Sequence, residues 1–150
     1  KILNNFFMGN LWVNLAIIDL IIFWSIYLRI KMLFFDFILC DRYLLDTFID
    51  FKINFSRIKL NKNVLWILLC KTIVQPDLAF MLILPFLESQ KRLSYKKEPF
   101  PDEYEVAQYR YFLYSENISD FKYENINANL SSNLVQENII KQVLKKNIHI

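Results

Sequence analysis

Glycine is nearly absent from this chain, because only Gly9 occurs among its 150 residues. A loop that cradles nucleotide phosphates needs several glycines at fixed spacing, so no such loop can be written from this sequence. Histidine is equally scarce, since His149 is the only one. This scarcity argues against a histidine-ligated metal site and against Ser/His or Cys/His catalytic pairs.

Cysteine and net charge are also low. The two cysteines, Cys40 and Cys70, form no CxxC pair and lie in apolar runs, which predicts buried free thiols in a reducing, cytoplasmic compartment. The net charge is +3, and no dense Lys/Arg stripe interrupts the chain, so a nucleic-acid partner is not expected.

Apolar residues, by contrast, are abundant. They make up 55% of the chain and aromatics make up 17%, which predicts one domain with a real core and excludes a disordered chain. The most apolar stretch is Leu11–Leu28, which contains only Asn14 and Asp19 as strongly polar interruptions. It is either a long helix buried on most sides or a membrane segment, and an aspartate at mid-membrane would oppose insertion by roughly 2.5–3.5 kcal/mol.

The rest of the chain alternates apolar runs with polar breaks. Short runs bounded by Pro, Asp or Asn indicate buried strands, and longer runs with three- and four-residue spacing indicate helices. The predicted elements after the first helix are a strand at Met32–Cys40, helices at Leu44–Phe55 and Val64–Val74, a strand at Leu78–Leu84, a helix at Phe86–Leu93, a helix from 102 or 103 to 117, a strand at Tyr123–Ile126 and a helix from 131 or 132 to 146. This order predicts a mostly parallel sheet covered on both faces, with its active site at the carboxyl ends of the strands.

Asp41 and Arg42 directly follow the first predicted strand. The planar guanidinium of an arginine offers paired donors to a phosphate, and an aspartate at a strand end can hold a Mg²⁺-bound water. The alternative is structural: Asp41 caps the next helix and Arg42 pairs with Asp46 one turn further on.

A second cationic cluster surrounds the predicted loop Ser94–Pro101. It contains Lys91, Arg92, Lys96 and Lys97. These side chains could close over a polyphosphate, with Arg110 on the next helix facing either the loop or solvent. The alternative is a solvated run of charges.

Four segments resemble thymidylate kinases and their relatives, in the order that this family has them. They are CDRYLLDTFIDF, QPDLAFMLILPFLESQKR, SYKKEPFPDEYEVAQYRYFLY and YENINANLSSNLVQENIIKQV, which start at Cys40, Gln75, Ser94 and Tyr123. The resemblance covers residues 34–146 and implies a three-layer, doubly wound α/β fold of the P-loop NTPase type. The family's first strand, its phosphate loop and the helix after it have no counterpart, and Asn127 stands where the family often has aspartate.

The resemblance also implies a function and roles for individual residues. Such kinases transfer the γ-phosphoryl group of ATP to a nucleoside monophosphate with Mg²⁺. The catalytic residues would be Asp41, Arg42 and Arg92. Asp41 would lie near the acceptor phosphate and the metal-bound waters, Arg42 would bind the acceptor phosphate, and Tyr43 and Asp46 would line the acceptor pocket. The residues expected near ATP are Arg92, Lys96, Lys97 and, as a support for the lid, Arg110.

On this basis we divide the chain into an apolar helical segment (1–33), a strand–helix core (34–93), a lid loop (94–102) and a C-terminal part (103–150). Because Gly9 stands alone and the chain starts at Lys1, we expect an N-terminally incomplete kinase domain that is inactive by itself. Exposed sheet edges would favour poor solubility or a homodimer. The competing hypothesis is a membrane-associated or interaction protein anchored by residues 11–28.

Overall fold

The computed structural model describes residues 6–95 and 101–146. The chain divides into two compact units, residues 1–75 and 76–150. The helices are α1 (Phe6–Leu20), α2 (Leu28–Lys31), α3 (Leu44–Asn54), α4 (Val64–Thr72), α5 (Phe86–Tyr95), α6 (Tyr104–Asn117) and α7 (Ser132–Lys145), and the strands are β1 (Phe80–Ile83) and β2 (Glu124–Asn127). A π-helical segment at Ile21–Tyr27 joins α1 to α2, and 3₁₀ turns lie at Leu60–Lys62 and Ile118–Phe121.

The first unit is built on the long helix that α1, the π-helical segment and α2 form together, which we call the N-terminal helix. One face of it packs inward through Val13, Ile17, Trp24 and Leu28. The other face is apolar as well, but it is exposed: the large exposed side chains between Phe7 and Ile30 are Phe7, Met8, Leu11, Trp12, Leu15, Ile18, Ile22, Phe23, Ile26, Tyr27 and Ile30. Of the two alternatives for this stretch, the helix buried on most sides was therefore wrong, because 28% of its most apolar window is buried.

Helices α3 and α4 supply the rest of this core. In α3, Leu45 and Ile49 are fully buried and Phe51 nearly so. The core of the first unit joins the N-terminal helix, α3, α4 and the 3₁₀ turn between them through Val13, Ile17, Trp24, Leu28, Phe51, Leu60, Trp66, Leu69 and Ile73. Helix α4 runs parallel to the N-terminal helix, since Asn63 bonds to Asn14 and Thr72 bonds to Ser25.

The predicted strand at Met32–Cys40 does not form. Met32 and Phe34 belong to a turn that continues the N-terminal helix, with backbone hydrogen bonds to Leu28 and Lys31. Residues 35–40 have no regular secondary structure, and their large apolar side chains are exposed. An apolar run becomes a strand only where a partner offers a ladder of hydrogen bonds, and β1 and β2 pair with each other instead.

The second unit matches its predicted elements closely. The strands β1 and β2 are parallel, with Phe80 opposite Glu124 and Ile83 opposite Asn127. Helices α5, α6 and α7 fall where the sequence predicted helices. The buried core is small, however: Leu113 and Ile126 are the buried apolar residues within the described part of this unit.

The predicted fold class was wrong. The described residues are mostly helical, and their strands form a single two-stranded parallel sheet rather than the central sheet of a three-layer, doubly wound α/β fold. The prediction assumed that each buried apolar run would find a neighbouring strand. In this chain the run before Asp41 finds none, so the sheet does not extend beyond β1 and β2.

Candidate functional site

Arg42 has an unusual backbone in the first unit. Its φ is 59°, in the left-handed region that non-glycine residues adopt at an energetic cost. Asp41 and Arg42 are both exposed and form the bend that leads into α3. Such strained residues cluster at functional sites, where the surrounding structure holds them in place.

Tyr43 and Asp46, the other two residues of the predicted acceptor site, make structural contacts. Tyr43 donates its phenol hydrogen to the carbonyl oxygen of Val74 at 2.7 Å, and its ring lies against Trp24. The Asp46 carboxylate accepts the backbone N–H of Tyr43 at 3.2 Å. These bonds fix the start of α3, and with it the position from which Arg42 projects.

The structural alternative for Asp41 and Arg42 is not what the first unit adopts. The N-cap position of α3 belongs to Tyr43, not to Asp41. No ion pair involving Arg42 is present within the described residues, so its predicted pairing with Asp46 does not occur. The Arg42 guanidinium is thus exposed and available to a phosphate, which is the chemistry that its planar fork suits.

Arg92 occupies a different kind of position, in the second unit. It lies near the end of α5 and donates from Nη1 to the carbonyl oxygen of Ala128 at 3.1 Å. Ala128 directly follows β2 and extends the ladder by donating its N–H to Ile83, the last residue of β1. Arg92 therefore lies at the carboxyl ends of two parallel strands, where sites form in open parallel sheets. Its Nε also contacts the Glu88 carboxylate at 3.4 Å.

Arg110, the predicted support for the lid, has an acidic partner within the second unit. Arg110 forms an ion pair with Asp102 at 2.7 Å, at the start of the helix that carries it. Lys96 and Lys97 lie outside the described residues.

ATP and Mg²⁺, which the resemblance implies, do not fit the residues present. The chain contains no glycine-rich cradle for a triphosphate. No group of three or more His, Cys, Asp or Glu side chains that could hold a metal ion is found in the described ranges. Asp41 brings a single carboxylate beside Arg42, which does not make a metal site by itself.

One cationic feature was not predicted from the sequence. A cleft of about 430 Å³ in the first unit is lined by Asn10, Arg57, Ile58, Lys59, Lys62 and Asn63. The available signal was three cations within six residues, Arg57 to Lys62.

Comparisons of the chain with protein-family models, with curated proteins and with solved structures find no match.

Proposed function

We propose that this chain binds a nucleoside monophosphate as the acceptor-binding component of a thymidylate-kinase-like phosphoryl transfer. The observation that carries the proposal is the strained backbone of Arg42, which presents an exposed guanidinium without an ion-pair partner among the described residues, directly after Asp41. The bonds of Tyr43 to Val74 and Asp46 hold this bend in place. An arginine presented in this way can take two oxygens of a terminal phosphate.

The second unit supports the same proposal. Its strand, helix, helix, strand and helix, with the two strands parallel, overlap three of the segments that resemble those kinases. Arg92 lies where an open parallel sheet places its ligand-binding side chains. The proposal does not need the three-layer fold, because it concerns phosphate recognition by single arginines.

Binding of dTMP, compared with thymidine, tests the proposal. Isothermal titration calorimetry should detect binding of dTMP but no binding of thymidine, because the phosphate supplies the interaction with Arg42. Replacing Arg42 with Gln should weaken dTMP binding about tenfold or more, since a charge-assisted hydrogen bond is lost. The matched control is Lys71→Gln, at an exposed cation of the same unit, which should leave dTMP affinity unchanged. Equal affinity of the Arg42→Gln variant and the unaltered chain would refute the proposal.

Catalysis by the chain alone gives a separate readout. Because the chain has no glycine-rich phosphate loop, we expect no ATP-dependent conversion of dTMP to dTDP. Product formation above the rate of a heat-denatured sample would show that the acceptor-binding description is too narrow.

A second candidate function, membrane association, is favoured by the N-terminal helix. The helical stretch Phe7–Lys31 is 25 residues long, its most apolar window has a mean hydropathy of 2.0, and 28% of that window is buried. Twenty predominantly apolar residues suffice to cross a bilayer. Arg29 and Lys31 lie in the last turn of this stretch, where cationic side chains can reach the polar interface of a membrane.

Extraction of cell membranes with alkaline carbonate tests this second function. A membrane-anchored chain stays in the pellet. The double variant Leu15→Lys/Ile22→Lys should appear in the supernatant instead, because both lysines would lie on the exposed apolar face of the helix. Leu87→Lys, at an exposed apolar position in α5, is the matched control and should not change the partition. Release of the unaltered chain by carbonate would exclude the anchor.

A further inference from the structure

The cationic cleft of the first unit has a lining of one charge sign. Arg57, Lys59 and Lys62 contribute three cations, Asn10 and Asn63 contribute amides, and no carboxylate is among the lining residues. None of the three cations forms an ion pair within the ranges 6–95 and 101–146. Like charges held together without a counter-charge repel one another, and an anion in the cleft would relieve that repulsion.

The cleft is held in shape by neighbouring contacts rather than by its charged side chains. Leu60, between two of the lysines, is 5% exposed and belongs to the core. The backbone of Lys62 bonds to Lys59, and that of Ile58 bonds to Phe55, at 2.9 Å each. The Phe55 ring stacks on Trp12 of the N-terminal helix with 5.3 Å between ring centroids. The three cations are therefore anchored to the core at their backbones while their heads remain in solvent.

The N-terminus of α4 adds a second source of positive potential. Asn63 caps this helix by accepting the N–H of Trp66 at 3.1 Å, and it donates to Asn14 at 2.7 Å. The first backbone N–H groups of a helix carry partial positive charge and are favourable to anions. Since Asn63 also lines the cleft, α4 begins beside the three cations.

We propose that this cleft is a binding site for a phosphate-bearing anion, separate from the acceptor phosphate site assigned to Arg42. Its volume lies within the range of about 300–1,000 Å³ that small-molecule sites occupy, which exceeds the needs of a single inorganic phosphate. The ligand would carry two phosphate groups. They would come either from a diphosphate free in solution or from neighbouring headgroups of an anionic lipid surface. The inference does not depend on the proposed function.

Two probes distinguish these sources. Inorganic pyrophosphate, titrated calorimetrically into the full chain, tests for a free ligand. Flotation with phosphatidylcholine vesicles, with and without phosphatidylglycerol, tests for a lipid headgroup, and only the additional binding caused by phosphatidylglycerol is counted. Raising the NaCl concentration should weaken either interaction, because the cations are exposed to solvent screening.

The variant that tests the site is Arg57→Gln/Lys59→Gln, with Lys71→Gln on the exposed end of α4 as the charge control. The double variant should lose affinity for the responding probe about tenfold or more, and the control should retain it. Tryptophan fluorescence of the native state verifies that both variants remain folded. The proposal is overturned if neither pyrophosphate nor phosphatidylglycerol increases binding, or if the double variant binds as tightly as the unaltered chain.

The two proposed sites can fail independently. Loss of pyrophosphate binding in Arg57→Gln/Lys59→Gln with dTMP binding intact supports the cleft. Loss of pyrophosphate binding in Arg42→Gln, with the double variant unaffected, would assign the phosphate to Arg42 and overturn the cleft proposal.

Discussion

Tyr43 and Val74 are joined by a 2.7 Å hydrogen bond from the tyrosine hydroxyl to the valine carbonyl oxygen. The bond ties the start of α3 to the segment that follows α4. The Tyr43 ring also lies 4.7 Å from the ring of Trp24, measured between centroids, so one side chain connects three parts of the first unit. The position of Arg42, its immediate neighbour, depends on this connection.

Removing the Tyr43 hydroxyl should destabilise the first unit. The substitution Tyr43→Phe keeps the ring and leaves the Val74 carbonyl oxygen without this donor, at a cost of about 1 kcal/mol. Urea unfolding followed by tryptophan fluorescence measures this, because Trp12, Trp24 and Trp66 all lie in the first unit. Tyr27→Phe is the control: the Tyr27 side chain is 41% exposed, and its substitution should shift stability by less than about 0.5 kcal/mol. Equal shifts for the two variants would contradict the contact.

Two adjacent leucines of α4 should differ sharply in their contribution to stability. Leu69 is 0% exposed and Leu68 is 44% exposed. Leu69→Ala leaves a cavity in the core and should cost about 2–5 kcal/mol, whereas Leu68→Ala should cost less than about 1 kcal/mol. Thermal unfolding followed by tryptophan fluorescence ranks the two variants. A reversed ranking would mean that α4 presents its other face to the N-terminal helix.

The cap of α4 should be measurable in the same way. Asn63→Ala removes the acceptor for the Trp66 N–H and the donor to Asn14, and we expect a loss of about 1–2 kcal/mol. Asn61→Ala, at an exposed position two residues earlier, is the control and should be close to neutral. If the two variants unfold at the same denaturant concentration, a structural role for Asn63 is excluded.

The two cysteines should react in the native state, but only slowly near neutral pH. Cys40 and Cys70 are free and exposed, contrary to the burial that their apolar surroundings predicted. Partial burial raises the pKa of both thiols above the ordinary value of 9.0. A raised pKa means less thiolate at a given pH, so the rate of alkylation should keep increasing as the pH rises beyond 9.0.

Mass spectrometry after iodoacetamide treatment, repeated across a pH series, measures the reaction at each cysteine. The single variants Cys40→Ser and Cys70→Ser assign the two rates. The description of exposed thiols with raised pKa values would be contradicted by either of two results. One is an alkylation rate that levels off at a lower pH than that of a small reference thiol, and the other is modification that requires denaturant.

The amino-acid sequence by itself determined the local elements of this protein. The spacing of apolar residues located α3, and the prolines and polar breaks located β1 and the helices of the second unit. These features depend on neighbours three or four residues apart, or on the period-two pattern of a strand, so a linear pattern is sufficient to find them.

Tertiary structure alone decided the rest. Residues 35–40 have the composition of a strand but lack a partner strand. The N-terminal helix buries one apolar face and exposes the other. The cations at Arg57 and Lys62 line one cleft. Each of these outcomes depends on segments distant along the chain, because hydrogen-bond ladders, buried faces and clefts exist only where such segments meet.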